Sequence, residues 1–307
     1  MCGIACFLDK LNGEQAAVGN TIFEMLNPLG LRGPDSAGVA LYGAPSNAML
    51  LRVKLGDGAA TDNVSASEER GRRIADRVSA LAQVREVSTT GEYLRLELEF
   101  DGDPRVLEEQ IEAVDDEVEV VSMGRSLEIV KQVGSPANLD AMYHLTDFVG
   151  SHGIGHTRLS TESRIDLSHS QPFWSHGTPD LAIVHNGHIT NYHKMRRLYE
   201  QKGVRFYTDN DSEIIGVYLG EQIANGLSLE EAMHASLQDF DGSFCYLAAT
   251  SEAVGFAKDP FGLKPLLFTE TDAFVAVATE EIAIRSAFEG HYEVKEAQVN
   301  EVRIWKL

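Results

Sequence analysis

The chain has 307 residues, of which 43% are hydrophobic and 24% charged, the composition of an ordinary globular protein. Its formal net charge of −21, from 47 acidic and 26 basic residues, argues against nucleic acids and anionic membranes as partners, since both require clustered cations. No segment approaches the run of about 20 apolar residues that crosses a bilayer, and the polar N-terminus lacks the apolar region of a signal peptide. We therefore expect a cytoplasmic protein.

The first fifty residues predict a strand, a helix, a loop and a second strand. Residues 2–9, CGIACFLD, form a short apolar run, and residues 16–30 carry apolar side chains at helical spacing. The turn-rich segment RGPDSAG at 32–38 then leads into the apolar run VALYG at 39–43.

The middle of the chain, residues 52–124, differs in character and predicts a small inserted α+β subdomain. After a strand come a polar stretch and a helix with a start signal at Ser67. The elements follow the order strand, helix, strand, strand, helix, strand, at residues 50–55, 67–82, 84–89, 93–100, 104–114 and 118–123. This is the element order of a ferredoxin-like unit.

In the remainder of the chain, strands dominate and helices lie between them. The strands follow one another like hairpins rather than in strict alternation with helices, which favours an α+β layered fold with mainly antiparallel sheets. We therefore divide the chain into one domain made of residues 1–51 and 125–307, and the insert at 52–124.

Cys2 is the first candidate for chemistry. Cys6 and Cys245 lie in apolar stretches, where a free cysteine usually acts as a small core side chain, whereas Cys2 stands at the terminus. Removal of Met1 would give Cys2 a free α-amino group, which titrates at about 7.7–8.0 and can take the proton of the thiol. Gly3 leaves room for a substrate to approach the backbone. The terminus therefore fits an N-terminal nucleophile.

Three further segments offer groups that would serve such a nucleophile. In IVHNGHI, Asn186 and the following Gly187 could donate to one developing oxyanion, or form a plain Asn-Gly turn. In GHTRLST, Arg158 could bind a planar carboxylate or form an internal salt bridge. Asp211 stands at a predicted helix start, as an N-cap or as the acceptor for a ligand's ammonium. Arg158 and Asp211 together would hold both charged ends of a free amino acid.

Histidine supplies a competing hypothesis, a metal site. The chain has ten histidines, and the four that attract attention are His152, His156, His185 and His188. Their spacing does not match a zinc signature, and no cysteine or glutamate set completes a site. We expect no metal in this chain.

Seven motifs in order carry a family resemblance. They are C-G-I at 2–4, L-R-G-P-D-S-A-G at 31–38, G-H-T-R at 155–158, H-N-G at 185–187, D-S-E at 211–213, D-G-S-F at 241–244 and D-P-F-G-L-K-P-L at 259–266. This set resembles the class II glutamine amidotransferases, whose glutaminase domain belongs to the N-terminal nucleophile hydrolases. The resemblance covers the chain apart from residues 52–124.

The resemblance implies a four-layer αββα sandwich, within the α+β class, that hydrolyses glutamine to glutamate and ammonia. By position in the motifs, Cys2 is the nucleophile and its α-amine the general base. Asn186 and Gly187 form the oxyanion hole.

The same resemblance assigns the groups that hold the substrate. Arg158 binds the α-carboxylate of L-glutamine and Asp211 its α-amine. Arg32, in the R-G-P-D-S-A-G loop, lies near the terminus and is grouped with them as a support of the substrate site.

The ammonia acceptor is expected on another chain. Large family members fuse the glutaminase to a second catalytic domain, and this sequence shows no phosphate-binding glycine-rich loop and no basic pocket for one. Its length and insert resemble the separate glutaminase-type subunit of split glutamate synthases and of N-methylglutamate synthase. That implies FMN-binding partner subunits that carry flavin and iron–sulfur clusters, with no cofactor in this chain.

Two alternatives stay open. The chain could be a catalytically silent scaffold or regulatory subunit of such a complex, although every site position holds a competent residue. It could also be an N-terminal nucleophile hydrolase that acts on another amide, although the Arg158 and Asp211 pair selects a free amino acid.

Overall fold

The computed structural model describes residues 2–56, 64–160 and 164–307. Within them, the helices are α1 (Val18–Leu29), α2 (Val64–Ser79), α3 (Pro104–Glu112), α4 (Pro136–Tyr143), α5 (Tyr192–Gln201), α6 (Glu213–Ala224), α7 (Leu229–Asp239) and α8 (Glu281–Ala287). Each of these helices is too short or too polar to cross a bilayer.

The strands of the described residues are short, as is usual for layered α+β proteins. They are β1 (Gly3–Asp9), β2 (Ser36–Tyr42), β3 (Met49–Lys54), β4 (Gln83–Thr90), β5 (Tyr93–Glu99), β6 (Glu119–Gly124), β7 (Leu127–Val133), β8 (His152–Arg158), β9 (Phe173–Trp174), β10 (Ala182–Ile189), β11 (Gly242–Ala249), β12 (Ala253–Lys258), β13 (Leu267–Glu270), β14 (Phe274–Ala278), β15 (Lys295–Glu296) and β16 (Val302–Lys306).

Two large antiparallel sheets face each other at the centre. The first has the strand order β15-β13-β14-β1-β8-β2-β7, and the second has the order β16-β12-β11-β10-β9. Helices α1 and α8 cover the first sheet, and α6 and α7 cover the second. This arrangement confirms the α+β class and the αββα layering expected from the sequence.

Apolar residues explain why the layers stay together. One core joins α1, β1 and the inner side of β10, for example through the fully buried Leu26, Ile4 and Val184. A second core lies under α6, where Ile215 and Leu219 are also fully buried. Removal of each such side chain from water stabilises the fold by about 1.5–3 kcal/mol.

A third, four-stranded sheet follows the order β4-β5-β3-β6 and is antiparallel throughout. With α2 and α3 it forms the strand-helix-strand-strand-helix-strand unit anticipated from the sequence. Its first strand, β3, begins at Met49, three residues before the predicted insert boundary at residue 52.

Two predicted details differ from the structure. Helix α2 already runs at Val64, so Ser67 does not start it, and part of the polar stretch before it (57–63) lies outside the described residues. Helix α4 was not anticipated, although Ser135 and Asn138 form a capping box at its start. Its eight residues are too few to show a helical apolar period.

Candidate active site

The N-terminal end of β1 and the C-terminal end of β8 lie side by side, because Gly3 pairs with Thr157 across the first sheet. Strand β10 of the second sheet faces this point. A cavity of about 600 Å³ opens between them. Its lining includes five of the six predicted site residues, namely Cys2, Arg158, Asn186, Gly187 and Asp211. Residues more than 200 positions apart in the chain therefore share one cavity.

Cys2 differs from the other two cysteines in its surroundings. Its side chain is half-buried at the cavity, and the thiol lies 3.8 Å from the carbonyl oxygen of Leu159. Cys6 and Cys245 are fully buried in strands, and burial raises the pKa of Cys6 and raises that of Cys245 to about 12. Only a thiolate is a strong nucleophile, so neither buried cysteine suits the chemistry.

Arg32 holds the backbone of Cys2. Its Nε donates to the carbonyl oxygen of Cys2 over 3.1 Å, and its guanidinium also pairs with Glu280. The loop that carries Arg32 packs tightly on β8, since a Cβ at Gly33 would come within 2.6 Å of the backbone of Thr157. Among the described residues, Arg32 is not part of the cavity lining, and its contact at the site is with Cys2.

Arg158 is 4% exposed at the end of β8. It donates to the carbonyl of Arg164 over 2.7 Å and to the hydroxyl of Ser160 over 3.4 Å. Burial lowers the pKa of Arg158 from its ordinary value, and the negative charges of Asp166 and Asp35 oppose that shift. A guanidinium remains protonated even so, which leaves a buried cation on the cavity wall.

Asn186 and Gly187 lie within β10 rather than in a plain Asn-Gly turn. The Asn186 side-chain amide donates to the carbonyl oxygen of Cys2 over 3.3 Å. Gly187 has φ of 138°, and a Cβ there would come within 2.3 Å of the carbonyl oxygen of Ser243, so the position requires glycine. The strand thus brings the amide donor of Asn186 and a backbone without a side chain at Gly187 next to Cys2.

Asp211 is not the N-cap of α6, since that position belongs to Ser212. Its Oδ2 accepts a hydrogen bond from the backbone of Ile189 over 2.8 Å, and its Oδ1 lies 3.8 Å from Nδ1 of His185. Burial lowers the pKa of His185, so this ring is neutral near pH 7 and does not neutralise Asp211. The carboxylate of Asp211 on the cavity wall therefore faces a neutral ring and not a cation at His185.

A buried hydrogen-bond network supports that end of the site and was not anticipated from the sequence. His185 bonds through Nδ1 to the Ser212 hydroxyl over 2.8 Å, and its backbone N–H donates to Gln171 over 2.6 Å. Gln171 in turn donates to the carbonyl of His185 over 3.1 Å. A glutamine beside proline carries no recognisable motif, so only the fold reveals this role.

Two more residues near the cavity were quoted in motifs without a role. Asp35 accepts from the backbone of Ser160 over 2.6 Å and so links the R-G-P-D-S-A-G loop to the segment after Arg158. Lys264 lines the cavity, in a loop that Asp259 shapes by accepting from the backbone of Phe261.

The four histidines of the metal hypothesis do not belong to any group of three or more residues with metal-ligand spacing in the part of the chain that the structure describes. His152 and His156 are buried, and burial lowers the pKa of His152 to about 4 and that of His156 to about 3. Within the ranges described, the group with metal-ligand spacing consists instead of Glu108, Glu112 and His176, away from the cavity.

Comparison with known proteins shows the family of this chain. Residues 156–286 match the glutamine amidotransferase domain family. A Methanothermobacter thermautotrophicus protein named as a candidate glutamine amidotransferase is 37% identical over 314 residues, with all of both chains covered. The glutamine amidotransferase-like protein GlxB of Rhizobium meliloti is 32% identical over 307 residues, which is 100% of this chain and 95% of that one.

A solved structure shows the same fold. The glutamine phosphoribosylpyrophosphate amidotransferase of B. subtilis aligns with a TM-score of 0.60 at 18% identity, over 99% of this chain and 49% of that chain. This chain thus spans about half of that protein, and the likeness concerns the fold alone. From the family match and the end-to-end relatives, the chain belongs to the class II glutamine amidotransferases.

Proposed function

We propose that this chain hydrolyses L-glutamine to glutamate and ammonia through a thioester on Cys2. The observation that carries the proposal is the shared cavity, in which a half-buried thiol, an amide donor, a buried cation and a carboxylate meet. Removal of Met1 would supply the α-amine that serves as general base.

The bound glutamine would be held by its two charged ends. The guanidinium of Arg158 accommodates the α-carboxylate, since a planar fork of donors matches a carboxylate. The charge of Asp211 attracts the α-ammonium. This pairing selects a free amino acid and places the side-chain amide toward Cys2.

The chemical steps then follow from the groups around Cys2. The α-amine takes the thiol proton, and the thiolate attacks the amide carbon of the substrate. Asn186 and the backbone of Gly187 donate to the oxyanion of the tetrahedral intermediate. The C–N bond breaks as the α-ammonium returns its proton to the leaving nitrogen, which departs as ammonia. Water attacks the thioester, releases glutamate and restores the thiol.

A glutaminase assay with two cysteine variants tests this proposal. Cys2→Ala should lower kcat for glutamine hydrolysis by about 10⁴-fold or more, because it removes the nucleophile. Cys245→Ala, a change at a buried thiol outside the cavity lining, should retain kcat. Full activity in Cys2→Ala would exclude the thioester mechanism, and an inactive wild-type protein that retains Met1 would favour the silent subunit.

We further propose that the ammonia serves partner subunits of glutamate synthase or N-methylglutamate synthase type, which hold the flavin and the iron–sulfur clusters. The support is the resemblance of the length and of the inserted subdomain at residues 52–124. Isolation of the chain from its source cell should recover those partners together with flavin absorbance. Recovery of the chain with an acceptor enzyme that lacks flavin would contradict this choice.

A further inference from the structure

The loop between α5 and α6 connects the cavity to the inserted subdomain. Residues 209–212 of this loop line the cavity. Tyr207, in the middle of the same loop, reaches helix α3 of the insert. Its hydroxyl lies 2.8 Å from Oε2 of Glu112 and 3.0 Å from Oε1 of Glu108. One short loop therefore contacts both the substrate site and the insert.

Tyr207 is held on its faces as well as at its hydroxyl. Its ring stacks on the ring of His176 with 4.1 Å between centroids and 16° between planes. His176 in turn lies with Nδ1 2.5 Å from Oε1 of Glu108. The guanidinium of Arg205 lies 4.8 Å from the Tyr207 ring and 3.0 Å from Oε2 of Glu112. The position of this side chain is therefore fixed by groups from three parts of the chain.

The backbone after Tyr207 is held by side-chain hydrogen bonds as far as Asn210, the residue before Asp211. Glu213 accepts from the backbone of Tyr207 and from that of Thr208, each over 2.9 Å. The backbone of Asn210 donates to the hydroxyl of Thr208 over 3.0 Å. Glu213 and Thr208 thus tie Tyr207 to Asn210, which is bonded directly to Asp211 in the chain.

The two carboxylates on α3 are costly to bury, which makes their partners important. Glu108 is 6% exposed and Glu112 is 9% exposed. Buried carboxylates need hydrogen-bond donors, and the phenol of Tyr207 is one of the donors that they share with His176 and Arg205.

We propose that Tyr207 is a positioning residue for glutamine: Glu108 and Glu112 hold its hydroxyl, and through it the inserted subdomain sets the place of Asp211. This inference rests on the proposed role of Asp211 as the acceptor for the ammonium of glutamine. Displacement of α3, for instance by a protein bound to the insert, would then weaken glutamine binding without a change at Cys2.

The test compares variants that remove one side of the contact. Tyr207→Phe removes the hydroxyl and keeps the ring that stacks on His176. Glu112→Gln removes the carboxylate charge that faces this hydroxyl. Glu109→Gln, at an exposed position of the same helix, is the matched control. Each change is combined with Cys2→Ala, and the dissociation constant of L-glutamine is measured by calorimetry. Asp211→Asn in the same background is the reference for loss of the proposed ammonium acceptor. KM and kcat are measured for the same changes with Cys2 intact.

We expect Tyr207→Phe and Glu112→Gln to raise the dissociation constant and KM about tenfold, with kcat within about twofold of wild type, since the effect lies in binding. Glu109→Gln should leave the dissociation constant, KM and kcat unchanged. If Asp211→Asn weakens binding and Tyr207→Phe does not, the inference is wrong and the proposed function stands. If Asp211→Asn has no effect either, the proposed role of Asp211 fails and the inference falls with it. A fall in kcat at constant KM would also overturn it.

Discussion

The side-chain amide of Asn186 donates a hydrogen bond to the backbone carbonyl oxygen of Cys2 over 3.3 Å, across the gap between the two large sheets. Arg32 donates to the same oxygen from the first sheet's side over 3.1 Å. The backbone of Cys2 is therefore held from both sheets, and its thiol lies at the cavity. The proposed nucleophile depends on this placement as much as on its own chemistry.

The first prediction concerns Asn186. Asn186→Ala should lower kcat for glutamine hydrolysis by about 10²–10³-fold and change KM little, because the amide acts on the oxyanion of the transition state. Steady-state kinetics check this, with the exposed Asn225→Ala as control. A variant that raises KM and keeps kcat would place Asn186 in substrate binding instead.

The second prediction concerns Arg158. Arg158→Lys keeps the charge and loses the planar fork, so KM for glutamine should rise about 10- to 100-fold while kcat changes little. The exposed Arg197→Lys serves as control in the same assay. A large fall in kcat with KM unchanged would contradict a role in holding the α-carboxylate.

The third prediction distinguishes two roles for Arg32. The sequence grouped this residue with the substrate-binding set, whereas the structure shows its contact with the Cys2 carbonyl. Arg32→Ala should therefore lower kcat about tenfold with a small change in KM, since loss of one hydrogen bond loosens the nucleophile. A rise in KM alone would show that Arg32 touches the substrate.

The fourth prediction concerns stability against pH and His156. Burial, reinforced by the charge of Arg158, lowers the pKa of His156 to about 3. The unfolded chain binds a proton below about pH 6.5 and the folded chain does not, so stability falls as the pH falls from 6.5 toward 3.

His156 alone should then cost about 2 kcal/mol of unfolding free energy between pH 7 and pH 5. Urea unfolding at both pH values measures this loss. His156→Leu removes the titrating ring and should reduce the loss by that amount. An equal loss in the variant and the wild type would show that His156 does not titrate in this way.

Much of the fold was predictable because its signals are local. The apolar run at residues 2–9 became β1, and the alternation at 93–100 became β5, since a strand shows its buried face in the sequence. Two-residue strands such as β9 and β15 were missed, because two residues carry no period. Their pairing depends on neighbours that are distant in the chain.

The site residues also fall into two groups, those that the sequence predicts and those that only the structure reveals. Cys2, Arg158 and Asp211 stand in motifs whose residue types already indicate their chemistry. The residues that support them were not predictable. Gln171, for example, contributes through hydrogen bonds to His185 that only the folded chain forms. Contacts of this kind leave no pattern in one sequence. The insert's contact with Tyr207 belongs to the same class.

The thioester itself gives the most direct test of the central proposal. Wild-type protein is mixed with isotopically labelled L-glutamine and quenched in acid within one turnover, and its N-terminal peptide is analysed by mass spectrometry. We predict a peptide that begins at Cys2, without Met1, and carries the mass of one labelled glutamyl group on its thiol. The proposed mechanism would be contradicted if glutamine were hydrolysed while the labelled glutamyl group was found on another cysteine. It would also be contradicted if protein that retains Met1 hydrolysed glutamine at an undiminished rate.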